Sequence, residues 1–87
     1  MRYVLRPTVL TAEVNGEQVL LDPERGIYHL VNATGLVILN EMATGRDLAD
    51  AVTMVASSTG EPVERVRADA ELFVRELTDQ QLIQEAG

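Results

Sequence analysis

The dipeptide Asn15-Gly16 turns this chain back on itself. Both central residues of a tight two-residue hairpin need positive φ, which Asn tolerates and Gly adopts freely. The flanks are strand-like. Thr8-Val9-Leu10-Thr11-Ala12-Glu13-Val14 is rich in β-branched residues, and Gln18-Val19-Leu20-Leu21-Asp22 reads as the return strand. Asp22-Pro23-Glu24-Arg25-Gly26 forms a second turn, with Pro23 fixing φ and Gly26 free to enter the left-handed region. A third strand, Ile27-Tyr28-His29-Leu30-Val31, follows. The expected product is a three-stranded antiparallel meander with its third strand at a sheet edge.

The remainder is helical. Asn32 is a good N-cap for a helix over Ala33–Ala43, stopped by Thr44-Gly45. Asp47 caps a second helix whose Leu48, Ala51, Val52, Val55 and Ala56 form one apolar stripe before Ser57-Ser58-Thr59-Gly60 ends it. Pro62 suits the first turn of a third helix running to Leu77, with Val63, Val66, Ala70, Phe73, Val74 and Leu77 as its buried stripe. Thr78-Asp79-Gln80-Gln81 reads as a turn, after which Leu82-Ile83 tuck back onto the core. Strands first and helices after, in so few residues, predict an α+β domain of winged-helix type.

Composition bounds what such a domain does. The 87 residues predict one domain spanning 1–87, and a 46% apolar fraction is that of a folded chain. No apolar run approaches the roughly 20 residues that span a bilayer, so no membrane association is expected. Arg6 and Pro7 interrupt the opening apolar stretch too early for a signal peptide, so the expected location is cytoplasmic. No cysteine is present, which excludes disulfides, thiolate metal sites and a cysteine nucleophile. Fourteen carboxylates against seven arginines, and no lysine, give a formal charge of −7, opposed to loose binding of nucleic acid.

Catalytic constellations are missing. His29 is the single histidine, and the nearby Asp22 and Glu24 lack ligand spacing, so His29 reads as a packing or surface residue. No serine sits in a nucleophile elbow, and no glycine-rich loop has phosphate-binding spacing. Capping explains Asp47 and Asp50. No enzyme activity, metal or cofactor is expected. Tyr28 shares a strand face with Leu30 and reads equally as core or as a groove wall. Leu72 lies off the Val66/Ala70/Val74 line at the flank of the third helix. Asp69, Leu72, Phe73 and Glu76, spaced by three or four residues, share one helical sector.

A longer pattern runs through the chain: Leu20-Leu21-Asp22-x-x-x-Gly26-x-Tyr28, then Asn32-x-Thr34-Gly35-x-x-Ile38-Leu39, then Gly45, then Asp69, Phe73 and Leu77. It resembles the PqqD-like family, the precursor-peptide recognition elements of ribosomally made, post-translationally modified peptides. Its Leu-Leu-Asp…Gly-x-Tyr version looks most like the freestanding member of lasso-peptide biosynthesis. The resemblance implies a domain that lays a leader peptide along the edge of the third strand, Ile27, Tyr28, His29, Leu30 and Val31. The groove would be closed by Asp69, Leu72, Phe73 and Glu76 of the third helix. It also implies a separate transglutaminase-like cysteine peptidase as the partner that removes the leader. Val31 stands where the family often has leucine, Ala70 where it often has valine, and Gln80-Gln81 where it usually has glycine.

Three readings compete, one of them a purely structural adaptor that would use the same sheet edge to dimerise. A DNA-binding winged helix would insert its third helix into the major groove, yet that segment carries Glu64, Asp69, Glu71 and Glu76 against Arg65, Arg67 and Arg75. A PqqD-type carrier serving a radical enzyme would differ in client rather than in binding mode.

Overall fold

The computed structural model describes residues 2–86. Met1 and Gly87, the ends of the expected 1–87 domain, lie outside the described residues. The meander forms as the turn chemistry requires. β2 (Leu10–Val14) pairs antiparallel with β3 (Glu17–Asp22), and β3 with β4 (Ile27–Val31), in the order β2-β3-β4. Asn15 and Gly16 hold φ of 53° and 80° in the first turn, and Gly26 holds 65° in the second. β2 begins at Leu10 rather than Thr8, because Thr8 is drawn off to donate its hydroxyl to Asp22 Oδ2 at 3.0 Å.

A second sheet lies outside the sequence expectation. β1 (Tyr3–Leu5) pairs antiparallel with β5 (Ile83–Glu85), with Val4 opposite Gln84. Strands of three residues carry almost no periodic signal, and their partners here are separated by nearly the whole chain. Leu82 and Ile83 do tuck back, at 0% and 3% exposure.

Helices α1 (Ala33–Ala43), α2 (Leu48–Thr59) and α3 (Val63–Asp79) follow β4. Asn32 accepts a hydrogen bond from the Gly35 N–H at 2.7 Å, and Asp47 accepts one from the Asp50 N–H at 3.0 Å. That second bond holds the Asp47 carboxyl below its ordinary pKa. The α2 stripe is buried at Ala51, Val52, Val55 and Ala56, and Gly60 closes the helix at φ 74°. Pro62 occupies the cap position just before α3 with ψ 135° rather than a helical residue. Val63, expected in the buried stripe, is 41% exposed, because the first residue of α3 projects beyond the neighbours that cover Val66 one turn later.

Two clusters make the core. One joins Ile38, Met42, Ala51, Val52, Val55, Ala56, Val66 and Ala70 among the helices. The other joins Leu20 and Val31 of the sheet to Val74, Leu77, Leu82 and Ile83. Phe73, partly buried, packs against both. On the opposite sheet face Leu10, Val14, Tyr28 and Leu30 are exposed, while Val19 of the central strand, opposite Ala12 and Leu30, is covered at 4% exposure.

α3 runs two residues past Leu77, with Gln80 as its C-cap, and Gln81 then takes φ 56°. The Leu82 N–H closes the turn on the Leu77 carbonyl at 2.9 Å. A left-handed backbone crowds any Cβ, so Gln81→Gly is expected to stabilise the fold by about 0.5–1 kcal/mol. Thermal melts measure this. A lowered midpoint would mean that the Gln81 side chain, 3.5 Å from Arg25 Nη1, contributes more than the backbone costs.

Candidate functional site: an open strand edge beside a helix-walled groove

The direction of each backbone group on β4 follows from the first turn. In a two-residue hairpin the residues flanking the turn form a hydrogen-bonded pair, here Val14 and Glu17. Hydrogen-bonded and non-hydrogen-bonded pairs alternate along an antiparallel ladder. Glu17, Val19 and Leu21 therefore direct their backbone groups toward β2, and Gln18, Leu20 and Asp22 toward β4. Their partners there are Val31, His29 and Ile27. The remaining residues, Tyr28 and Leu30, point N–H and C=O outward from an edge where, among the described residues, no strand pairs.

Beside that edge lies a groove of about 400 Å³. Of the nine residues expected at the site, His29, Leu30, Asp69, Leu72, Phe73 and Glu76 line it. Leu72 is 52% exposed, an apolar side chain left at the helix flank. Ile27 and Val31 turn into the sheet–helix cluster instead, and Tyr28 sits on the outer sheet face at 63% exposure, neither core nor groove wall. His29 bridges β4 to α3: its Nδ1 lies 3.0 Å from Gln80 Oε1 in a hydrogen bond, and its ring centroid is 6.2 Å from that of Phe73.

Sequence reasoning missed the remainder of the lining: Asn32, Thr34, Gly35, Ile38, Glu61, Val66 and Ala70. The start of α1 forms the end wall, and Val66 and Ala70 form the floor. Gly35 has a steric reason to be glycine. A Cβ there would meet Phe73 Cζ at 3.0 Å and Val31 Cγ1 at 3.1 Å, so a side chain at 35 would push the Phe73 ring out of its seat. The motif spacing held the signal at Asn32, Thr34 and Gly35. Nothing local assigned those residues to the same cleft as α3.

An anchor at the far end of α3 holds the two walls together. Asp22, 0% exposed, accepts from Thr8 Oγ1 and, at 2.7 Å, from Arg25 Nε, and its Oδ1 accepts from the Glu24 N–H at 3.1 Å. The Arg25 guanidinium then donates to the Gln80 carbonyl at 2.9 Å and the Gln81 carbonyl at 2.6 Å. A cation on the C-terminal carbonyls complements the helix dipole and satisfies acceptors the helix cannot. The β3–β4 turn is thereby tied to α3, and the groove width with it. The arrangement offers open backbone hydrogen bonds beside a groove of mixed polar and apolar lining: a place for an extended peptide.

Two solved structures share this fold. One, described as lasso peptide synthetase B1 complexed with the leader peptide, superposes with a TM-score of 0.88 at 24% identity, covering 98% of this chain and all of that one (100%). Another, TbiB1 in complex with the TbiA(beta) leader peptide, gives 0.83 at 23% identity, covering 97% and 98%. No curated protein matches the chain. The profile of the family described as coenzyme PQQ synthesis protein D (PqqD) matches residues 17–83, from the first residue of β3 to the first of β5, and the chain belongs to that family.

Proposed function

We propose that this chain binds the leader segment of a ribosomally made precursor peptide as an added strand on the edge of β4, with leader side chains seated against α3. It breaks no bond itself and presents the leader to a separate transglutaminase-like cysteine peptidase in lasso-peptide biosynthesis. The observation that carries this reading is the unpaired backbone of Tyr28 and Leu30 running beside the groove lined by Leu72 and Phe73. Both fold neighbours named above were solved with leader peptides, which supports the same reading.

Strand addition supplies affinity with little sequence discrimination, since each added backbone hydrogen bond nets only about 0.5–1.5 kcal/mol whatever the side chain. Discrimination then falls to the helix wall. Leu72→Ala is expected to weaken leader binding by about 1–2 kcal/mol through lost apolar contact, with little change in melting temperature. Phe73→Ala is expected to damage both, because that ring packs on both core clusters. Fluorescence-polarisation titration of a labelled leader, run beside thermal melts, separates the two. Wild-type affinity in Leu72→Ala would remove α3 from the site. The peptidase step has its own test: precursor cleavage should accelerate when this chain is added to the peptidase, and the chain alone should leave the precursor intact.

A further inference from the structure

A second cleft, of about 500 Å³, lies between α1, β1 and the β2–β3 hairpin. Leu36, Leu39 and Met42 of α1 line it together with Val4 and Leu5 of β1. No charged residue does, although 24% of the chain is charged. Helix α1 has the same character: Glu41 is its one charged residue, and Arg46 pairs with it at 3.3 Å. A helix apolar around its circumference is ordinarily buried on every side. Here Ala33, Val37 and Ala43 are exposed, so α1 carries apolar surface that no described residue covers. The polar groups at the cleft are neutral and uncommitted, since the side-chain amides of Gln18 and Asn40 have no hydrogen-bond partner among the described residues. On β1 the Arg6 N–H donates to the Leu82 carbonyl and the Ala86 N–H to the Arg2 carbonyl. By alternation along that ladder, Leu5 directs its own N–H and C=O away from β5.

This cleft communicates with the groove beside β4. A hollow at the end of the sheet, by the hairpin tip at Gly16, shares Leu30 and Asn32 with the groove, and Gln18 and Leu36 with the cleft. One trough therefore runs from the open edge of β4, over the start of α1, to β1. Along α1 it reaches from Asn32 to Ala43. That is about 16 Å at the helical rise, a length that about five extended residues span. We infer that the leader segment leaving the added strand past Val31 follows this trough and seats uncharged, apolar side chains in the cleft between α1 and β1. The amides of Gln18 and Asn40 and the backbone of Leu5 serve the peptide backbone, since they both donate and accept. A charged leader side chain is disfavoured there, because it would lose water without gaining a partner. This inference rests on the proposed leader binding and extends it to a part of the leader outside the β4–α3 groove.

The test titrates a fluorescein-labelled leader and two trimmed forms of it, one lacking the residues before the added strand and one lacking those after. Both are needed, because an antiparallel leader brings its N-terminal flank past Val31 and a parallel one its C-terminal flank. The full chain is used as wild type, Val4→Glu and Asn40→Glu. These two residues line the cleft from opposite walls and are exposed, so the fold should tolerate both changes, which thermal melts check. On the wild type, one trimmed form should bind about tenfold more weakly than the full leader, roughly the worth of one buried apolar side chain. Each variant should weaken the full leader by a similar factor and leave that trimmed form unchanged, the coupling a double-mutant cycle reads. Trimmed forms that both bind like the full leader, or variants that weaken full and trimmed leaders equally, overturn the inference and leave strand addition standing. Variants that bind every leader like wild type yet slow precursor cleavage give the cleft to the peptidase instead, and overturn it too. A full leader that fails to bind the wild type overturns the proposed function and this inference with it.

Discussion

Asp22→Ala is expected to lower the melting temperature on the order of 10–20 °C, more than any other polar substitution in the chain. The carboxylate is fully buried and accepts from the side chains of Thr8 and Arg25 and from the Glu24 N–H. Its removal orphans the turn N–H and releases Arg25 from the Gln80 and Gln81 carbonyls. A buried group that loses its partners costs more than the partner bonds gained net, because the remaining donors stay desolvated. The pH dependence carries a second signature. The Arg25 hydrogen bond, with help from Thr8 and against the cost of burial, holds the Asp22 carboxyl below its ordinary value of 3.8. A carboxyl whose folded pKa is depressed stabilises the fold above its unfolded pKa and loses that contribution as pH falls through the folded value. The gap between wild type and Asp22→Ala should therefore be full near neutrality and close in acid below pH 3.8. A gap independent of pH would show that the charge on Asp22 is not what anchors the turn.

Leu30→Pro is expected to weaken leader binding about tenfold, roughly 1.4 kcal/mol, while the domain remains folded. The Leu30 N–H points out of the open edge, so its loss removes a donor from the leader and none from β3. Proline is tolerated on edge strands in that orientation. His29→Pro makes the contrast. The His29 N–H faces Leu20 across the ladder, and its ring holds Gln80 and Phe73, so this variant should melt far earlier before binding is considered. Circular dichroism and polarisation titration together decide the matter. A folded Leu30→Pro protein with wild-type affinity would place the leader somewhere other than this edge.

Much of the frame was legible in the sequence because its signals are local. Asn15-Gly16 and Gly26 name turns by the φ they permit, Asn32 and Asp47 name helix starts by the bonds they accept, and the α2 stripe names its buried face by period. The sector of Asp69, Leu72, Phe73 and Glu76 was legible for the same reason, since helical spacing alone puts those side chains together. Tertiary structure decided the rest. The β1–β5 ribbon joins segments too short to show a period and too distant for any window to pair. Val63 fits the apolar stripe, yet it sits where α3 outruns its neighbours, and no local rule gives a helix end its cover. Asp22 looked like a turn residue, and only the packing of the β3–β4 turn against the end of α3 made it a buried anchor. The groove belongs to this second group, because its walls come from β4, the start of α1 and the middle of α3. Each wall is encoded locally, but the space between them exists only once the helices have packed against the sheet.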